Sequence, residues 1–146
     1  MATVIKTYYD DGQLREEYFE NDGKKVGEYK EYFRNGQLDT ICNYVDGKIE
    51  GECKEYCEDG QLYMVCNYVN NKTEGEYKRY WHNGQLNEIC NYVDGKIEGE
   101  YKSYFPTGLL NKTRNFVAGK EENTCQFIFR ITWNFIRCTM TKLMFI

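Results

Sequence analysis

Few side chains in this 146-residue chain are suited to act as nucleophile, base or metal ligand. It has one histidine, His82, and one serine, Ser103. A hydroxyl nucleophile needs a base and an orienting acid within hydrogen-bond reach. His82, however, stands where Arg34 and Glu58 stand elsewhere, and Ser103 falls in series with Thr7, Glu31, Glu55 and Arg79. Both read as variable positions. Paired carboxylates would support glycosidase-like acid and base work, but that needs one desolvated site. Here the acids recur at fixed intervals, as a solvated face does. The seven cysteines contain no Cys-x-x-Cys spacing. Cys42, Cys66 and Cys90 are 24 residues apart, which in stacked hairpins puts them beyond the ~7 Å reach of a disulfide and too far apart to share a metal. They are expected to be reduced packing thiols. Cys53 faces Cys66 if the register of their hairpin allows it. The expectation is a chain with no enzymatic centre, no cofactor and no metal.

Composition points the same way. One domain, or a short stack of repeats, exhausts this length. Apolar residues make up 41% and aromatics 16%, fourteen of them Tyr, so much of the burying surface carries a hydroxyl that prefers a hydrogen-bonded edge. A thin, half-exposed core is expected. The net charge is −4 with both signs interspersed, which excludes a nucleic-acid surface built on phosphate neutralisation. The first eleven residues lack the pattern of a secretory signal, and no long uncharged apolar stretch suits a membrane span. An odd number of cysteines without dense spacing fits free thiols in a reducing compartment. The chain reads as soluble and intracellular.

The elements that position these residues come from a repeat. Gly-Gln-Leu begins at Gly12, Gly36, Gly60 and Gly84, and Gly-Leu-Leu at Gly108, in steps of 24 residues. Gly27, Gly51, Gly75 and Gly99 each precede a Glu, and Asn-Tyr-Val recurs from Asn43, Asn67 and Asn91, with Asn-Phe-Val from Asn115. Two series of turn dipeptides alternate at spacings of 11 and 13 residues: Asp11-Gly12, Asn35-Gly36, Asp59-Gly60 and Asn83-Gly84, then Asp22-Gly23, Asp46-Gly47 and Asp94-Gly95. Such dipeptides tolerate positive φ at both central positions of a tight hairpin turn, so the segments between them are predicted to be antiparallel strands. The fold expected is all-β: an elongated antiparallel meander of about five stacked hairpins over residues 1–122, roughly 45–50 Å long, with a right-handed twist.

Repetition stacks like residues in columns. One is Tyr8, Tyr32, Tyr56, Tyr80 and Tyr104; beside it run Tyr9, Phe33, Cys57, Trp81 and Phe105. These rings, with Phe33, Trp81 and Phe105 among them, are the candidate partner-binding ladder. A Leu column (Leu14, Leu38, Leu62, Leu86, Leu110) and a Tyr/Phe column (Tyr44, Tyr68, Tyr92, Phe116) add cross-strand contacts. Strict alternation puts Leu38, Thr40, Cys42 and Tyr44 on one side of their strand; it does not say which side is concave. A Gly-Glu bulge is expected in the other strand. Lys6, Lys30, Lys54, Lys78 and Lys102 form a basic column two residues after Glu28, Glu52, Glu76 and Glu100, where opposite charges can pair.

Turn signals vanish after Glu122, and residues 123–146 form an apolar segment including Phe127, Trp133 and Phe135. It reads either as a cap or oligomer contact for the open end of the array, or as a shifted-frame continuation of a former repeat.

Residues 29–38, Tyr-Lys-Glu-Tyr-Phe-Arg-Asn-Gly-Gln-Leu, and 95–102, Gly-Lys-Ile-Glu-Gly-Glu-Tyr-Lys, closely resemble the MORN repeat family in its variant form. The likeness covers residues 1 to about 122, although the first copy has Phe19, Glu20 and Asn21 in place of the Asn-Tyr-Val segment. The wording Cys-Asn-Tyr-Val-Asp-Gly-Lys-Ile-Glu-Gly-Glu is similar to repeat proteins of giant amoeba-infecting DNA viruses, which would place the chain in host cytoplasm or virion. The resemblance implies scaffolding, dimerisation or protein contact rather than chemistry. It also implies, as alternatives, binding of anionic phospholipid through the Lys column or an antitoxin-like partner-binding role.

Overall fold

A computed structural model describes residues 1–122. The strands are β1 (Thr3–Tyr8), β2 (Leu14–Asn21), β3 (Lys24–Tyr32), β4 (Leu38–Val45), β5 (Lys48–Ile49), β6 (Gly51–Tyr56) and β7 (Leu62–Val69). They continue as β8 (Lys72–Thr73), β9 (Gly75–Tyr80), β10 (Leu86–Val93), β11 (Lys96–Ile97), β12 (Gly99–Tyr104), β13 (Leu110–Val117) and β14 (Lys120–Glu121). All fourteen lie in one antiparallel sheet in sequence order, with short β5, β8 and β11 pairing with β4, β7 and β10. No helix occurs among the described residues. The expected meander of stacked hairpins is what the chain forms. The apolar segment, with Cys125 and Cys138, lies outside the described residues.

The two turn series differ in kind. In the second, both central residues take positive φ as expected: Asp46 and Gly47 at 53° and 80°, Asp94 and Gly95 at 52° and 77°. Asn70 and Asn71, which carry no glycine, adopt the same pair of angles at 52° and 65°, and Ala118 with Gly119 closes the last turn. In the first series only the glycine is left-handed, and the expectation for both residues was wrong there. The Phe33 N–H donates to Gln37 C=O (2.8 Å) and the Gly36 N–H to Phe33 C=O (2.9 Å), so a three-residue loop ends on a left-handed glycine. Asn35 Oδ1 accepts from the Gln37 N–H at 2.9 Å, as Asp11, Asp59 and Asn83 do in their own turns.

Each repeat carries two irregularities. Leu38 pairs with Tyr32 but Thr40 pairs with Glu31, leaving Asp39 as an extra residue. Directly opposed residues share a face, so Leu38 lies with Tyr32 and not with Thr40 and Cys42, which corrects the strict alternation. The same shift recurs at Arg15, Tyr63, Asn87 and Asn111. The second irregularity is the expected Gly-Glu bulge: Tyr18 pairs with Tyr29 but Phe19 pairs with Val26, so Gly27 and Glu28 are extra. At this point in later repeats pairing breaks between β5 and β6, and the Glu50 N–H reaches Asn43 C=O at 2.9 Å.

Successive repeats also bond edge to edge. The Gly47, Asn71, Gly95 and Gly119 N–H groups donate to the carbonyls of Lys25, Ile49, Thr73 and Ile97 one repeat earlier. Glu50, Glu74 and Glu98 each accept from a backbone N–H of the next turn, at 2.9, 2.8 and 2.7 Å. Lys24–Asp46 at 2.7 Å and Lys72–Asp94 at 2.5 Å add charge to the same edge.

The core is thin. Tyr29, Cys42, Cys53, Met64, Cys66 and Cys90 are buried, at 3–7% exposure. By register all six fall on one face, since Tyr29 opposes Cys42 and Cys53 opposes Cys66. Among the described residues no second layer covers the sheet; this more buried side is its inner face, and the opposite side its outer face.

Gly51 sits at φ +84 with open space where a Cβ would be. Gly51→Ala therefore tests backbone strain alone, and is expected to cost about 1–2 kcal/mol, read as a lower urea midpoint.

Candidate functional site

The two faces carry different chemistry. On the outer face, the expected ladder of Tyr32, Tyr56, Tyr80 and Tyr104 is half-exposed, and Tyr8 at the open end is 58% exposed. Each of the five opposes its Leu across the hairpin, Tyr8 with Leu14 through Tyr104 with Leu110. The Lys column shares that face, alternating with Tyr. Every member is paired: Lys6 with Glu17 (3.1 Å), Lys30 with Glu28 (2.5 Å), Lys54 with Glu52 (2.5 Å), Lys78 with Glu76, and Lys102 with Glu100 (2.7 Å). Hydrogen bonding to Glu28, Glu52, Glu76 and Glu100 raises the affinity of Lys30, Lys54, Lys78 and Lys102 for their protons. Between these pairs lie open depressions of about 260 to 320 Å³, repeated along the sheet and lined by Ile41, Val65 or Ile89 with Glu, Asn and Lys.

The neighbouring aromatic column runs along the turns. Phe33 and Trp81 are half-buried and Phe105 is 48% exposed. Trp81 Nε1–H donates to Tyr104 C=O at 3.0 Å, and the Tyr9 hydroxyl to Tyr32 C=O at 2.7 Å. These two rings fasten their repeat to the next one while leaving one side open.

The inner face holds a second aromatic series. Tyr29 stands 6.1 Å from Tyr18 and 5.7 Å, edge-on, from Tyr44 by ring centroids; Tyr77 and Tyr92 are 5.6 Å apart, Tyr101 and Phe116 6.0 Å. Such pairs add about 0.5–1.5 kcal/mol beyond the area they bury. Lys25 Nζ lies over Tyr18, Tyr29 and Tyr44 at 4.3, 4.2 and 5.5 Å, a cation held by ring quadrupoles. The Tyr29 hydroxyl sits between two carboxylates, Glu16 Oε1 at 2.9 Å and Glu31 Oε2 at 3.1 Å. The Tyr101 hydroxyl donates to Glu88 Oε2 at 2.6 Å, which Arg79 also reaches at 3.1 Å. Burial and Glu88 push the Tyr101 phenol up to about 12.

The sequence reading counted Tyr44, Tyr68, Tyr92 and Phe116 as packing and did not single out Tyr18, Tyr29, Tyr77 or Tyr101. The missing signal was depth. Both columns repeat every 24 residues, and spacing alone does not separate the more buried from the less. Of the two residues considered for nucleophilic chemistry, His82 is an exposed turn residue and Ser103 is half-buried, accepting from Asn111 Nδ2 at 3.3 Å. The structure does not bring them together with a common acid. Among the described residues no group of three His, Cys, Asp or Glu side chains is placed to hold a metal, and no helix is long and apolar enough to cross a membrane.

Five stacked hairpins, four with a Gly-Gln-Leu loop and the fifth with Gly-Leu-Leu, and with Gly-Glu at Gly27, Gly51, Gly75 and Gly99, agree with the comparison by family. The family described as MORN repeat variant matches residues 4–21, 25–46, 49–70 and 73–94. The chain belongs to the MORN repeat variant family. Its fifth hairpin follows the matched residues and keeps the same pairing. Repeats of this family are generally associated with binding protein or membrane lipid. No curated protein matches the chain.

Among solved structures, a mutant of S. aureus TarM in complex with Fondaparinux, alpha-GlcNAc-glycerol and UDP is similar over 81% of this MORN chain and 20% of its own, at 11% identity and TM-score 0.43. Accessory secretory protein 1,2 and 3 of Streptococcus pneumoniae is similar over 69% and 19%, at 13% identity and TM-score 0.39. The chain spans about a fifth of the length of these proteins.

The inner-face acids divide by environment. Burial raises Glu16, but hydrogen bonds from Tyr29 and Thr7 and the charges of Lys25 and Arg15 outweigh it and hold the carboxyl below its usual range. Its contribution to stability is present above that range and lost as pH falls through the lowered value. Glu55 is the reverse: burial, then the charge of Asp39, raises it, so ionising it in the folded state is unfavourable. Glu55→Gln is expected to stabilise the chain at about pH 7 by less than ~1 kcal/mol after solvent screening. The gain should vanish below about pH 4, where Glu55 is neutral folded and unfolded. Urea titrations at both pH values check this.

Proposed function

We propose that this MORN chain is a non-enzymatic scaffold that binds a protein partner, or further copies of itself, through the outer-face ladder of Tyr8, Tyr32, Tyr56, Tyr80 and Tyr104 with Phe33, Trp81 and Phe105. What supports the reading is a long row of rings that are open on one side and anchored on the other, as Trp81 and Tyr9 are by their bonds to the next repeat. Rigid, partly exposed aromatics of this kind are enriched in protein interfaces and at their energetic centres. The lipid reading draws less support, because each Lys of the basic column is tied to a Glu, and attraction to an anionic leaflet depends on uncompensated positive charge. The polar groups of this face recur in every repeat, which suits a surface and not a single reaction centre.

We place the protein inside the cell, where free thiols such as those of Cys42, Cys53, Cys57, Cys66 and Cys90 are the usual resting state. An origin in a giant amoeba-infecting virus rests on the wording of the repeat alone. It would put the scaffold in host cytoplasm or virion.

Proximity labelling with the intact chain in its native cell, compared with the triple variant Tyr32→Ala, Tyr56→Ala and Tyr80→Ala, checks the proposal. Expected is loss of the enriched partner by about tenfold or more, or loss of self-association in light scattering. Equal enrichment by both chains overturns it. Sedimentation with phosphatidylserine vesicles that disappears on Lys30→Glu with Lys54→Glu would favour the lipid reading instead.

A further inference from the structure

The inner aromatic series is interrupted at its middle. The column that carries Tyr29, Tyr77 and Tyr101 has Cys53 in the third repeat, and the buried residues around it are Cys42, Met64 and Cys66. Three thiols thus lie side by side on three successive strands, β4, β6 and β7. Cys53 and Cys66 are directly opposed across their hairpin. On the other side, Ile41 pairs with Lys54 in the last paired position between β4 and β6, so Cys42 and Cys53 form the next opposed pair, facing each other where the ladder opens toward the Gly51 bulge. Opposed residues of antiparallel strands have Cα atoms about 4.5–5.5 Å apart, inside the range a disulfide spans. Side-chain contact distinguishes the two pairs: the Cys53 thiol is hydrogen-bonded to the Cys42 sulfur, whereas the Cys66 sulfur takes the hydroxyl of Tyr68.

We propose that Cys42 and Cys53 are a modification site: on exchange with a small-molecule disulfide they join covalently, clasping the second hairpin to the third across the open junction. Cys42 attacks first. The hydrogen bond from Cys53, and then the charge of Lys25, favour its thiolate against the opposing effect of burial, and the thiolate is the attacking form. Cys42 Sγ forms a bond to one sulfur of the small disulfide and expels the other as a thiolate, which takes up a proton. Cys53 then loses its proton, attacks Cys42 Sγ and expels the second small thiolate. The two protein thiols lose two electrons and two protons, and the small disulfide becomes two thiols. At the equivalent junctions between later hairpins the same register sets Cys66 beside Tyr77 and Cys90 beside Tyr101, so among the described residues only this junction brings two thiols together.

The site is testable on the intact chain with oxidised glutathione. Trypsin cuts after Arg34, Lys48 and Lys54, so Cys42 and Cys53 fall on separate peptides and Cys57 and Cys66 on a third. Expected is one cross-linked species joining the Cys42 and Cys53 peptides, present in Cys66→Ser, absent in Cys53→Ser and reversed by dithiothreitol. The urea midpoint should rise on oxidation and return on reduction. In Cys53→Ser, glutathione should remain attached at Cys42, which reports the first step even where the second is blocked. A cross-link between Cys53 and the Cys66 peptide, glutathione on Cys57 alone, or no reaction would overturn the proposal.

Discussion

Across the described residues the sheet is one layer thick and packs only against its own continuation, and the structure follows from that limit. Six of the described residues reach 3–7% exposure, too few to hold the array by burial alone. Stability must come from many modest terms repeated along the array: cross-strand pairs, stacked rings, and turn N–H groups donated one repeat back. The turn bonds do not close without the neighbouring repeat, so each hairpin is completed by the next, as in other linear repeat architectures.

The glycines and turn residues set the geometry these terms need. Gly51 at φ +84 and its counterparts let a strand break its pairing, and one face of the sheet is more buried than the other. On the inside, Tyr hydroxyls find carboxylates and thiols find one another. On the outside, Tyr, Leu and paired Lys–Glu columns remain open to solvent. A surface that repeats every 24 residues offers a partner several equivalent footholds, and local departures from the repeat, such as the sulfur-lined middle, are where individual chemistry can enter.

Much of this was legible in the residues. Asn-Gly and Asp-Gly at alternating intervals marked the hairpins because few other dipeptides tolerate the backbone angles they need. The Gly-Glu bulge was expected from a strand in which neither side was cleanly apolar. Three things were not legible. The first turn series uses one left-handed residue and not two, because a longer loop with its Asx bond satisfies the turn. Asn70-Asn71 hides a turn with no glycine. The extra residue at Asp39 and its counterparts moves the Leu column across the sheet, and alternation counted through a bulge assigns it to the wrong side.

The sequence by itself determined the period, the strand order and the columns, since turn chemistry and strand propensity are local and recur without insertion. It also put Lys two residues after Glu, from which charge pairing on one face follows. Only the tertiary structure decided which face is the more buried, because burial depends on how side chains of successive strands crowd together across the register. Strand register decided that Cys42, Cys53 and Cys66 meet, and register through a bulge is a property of the folded ladder.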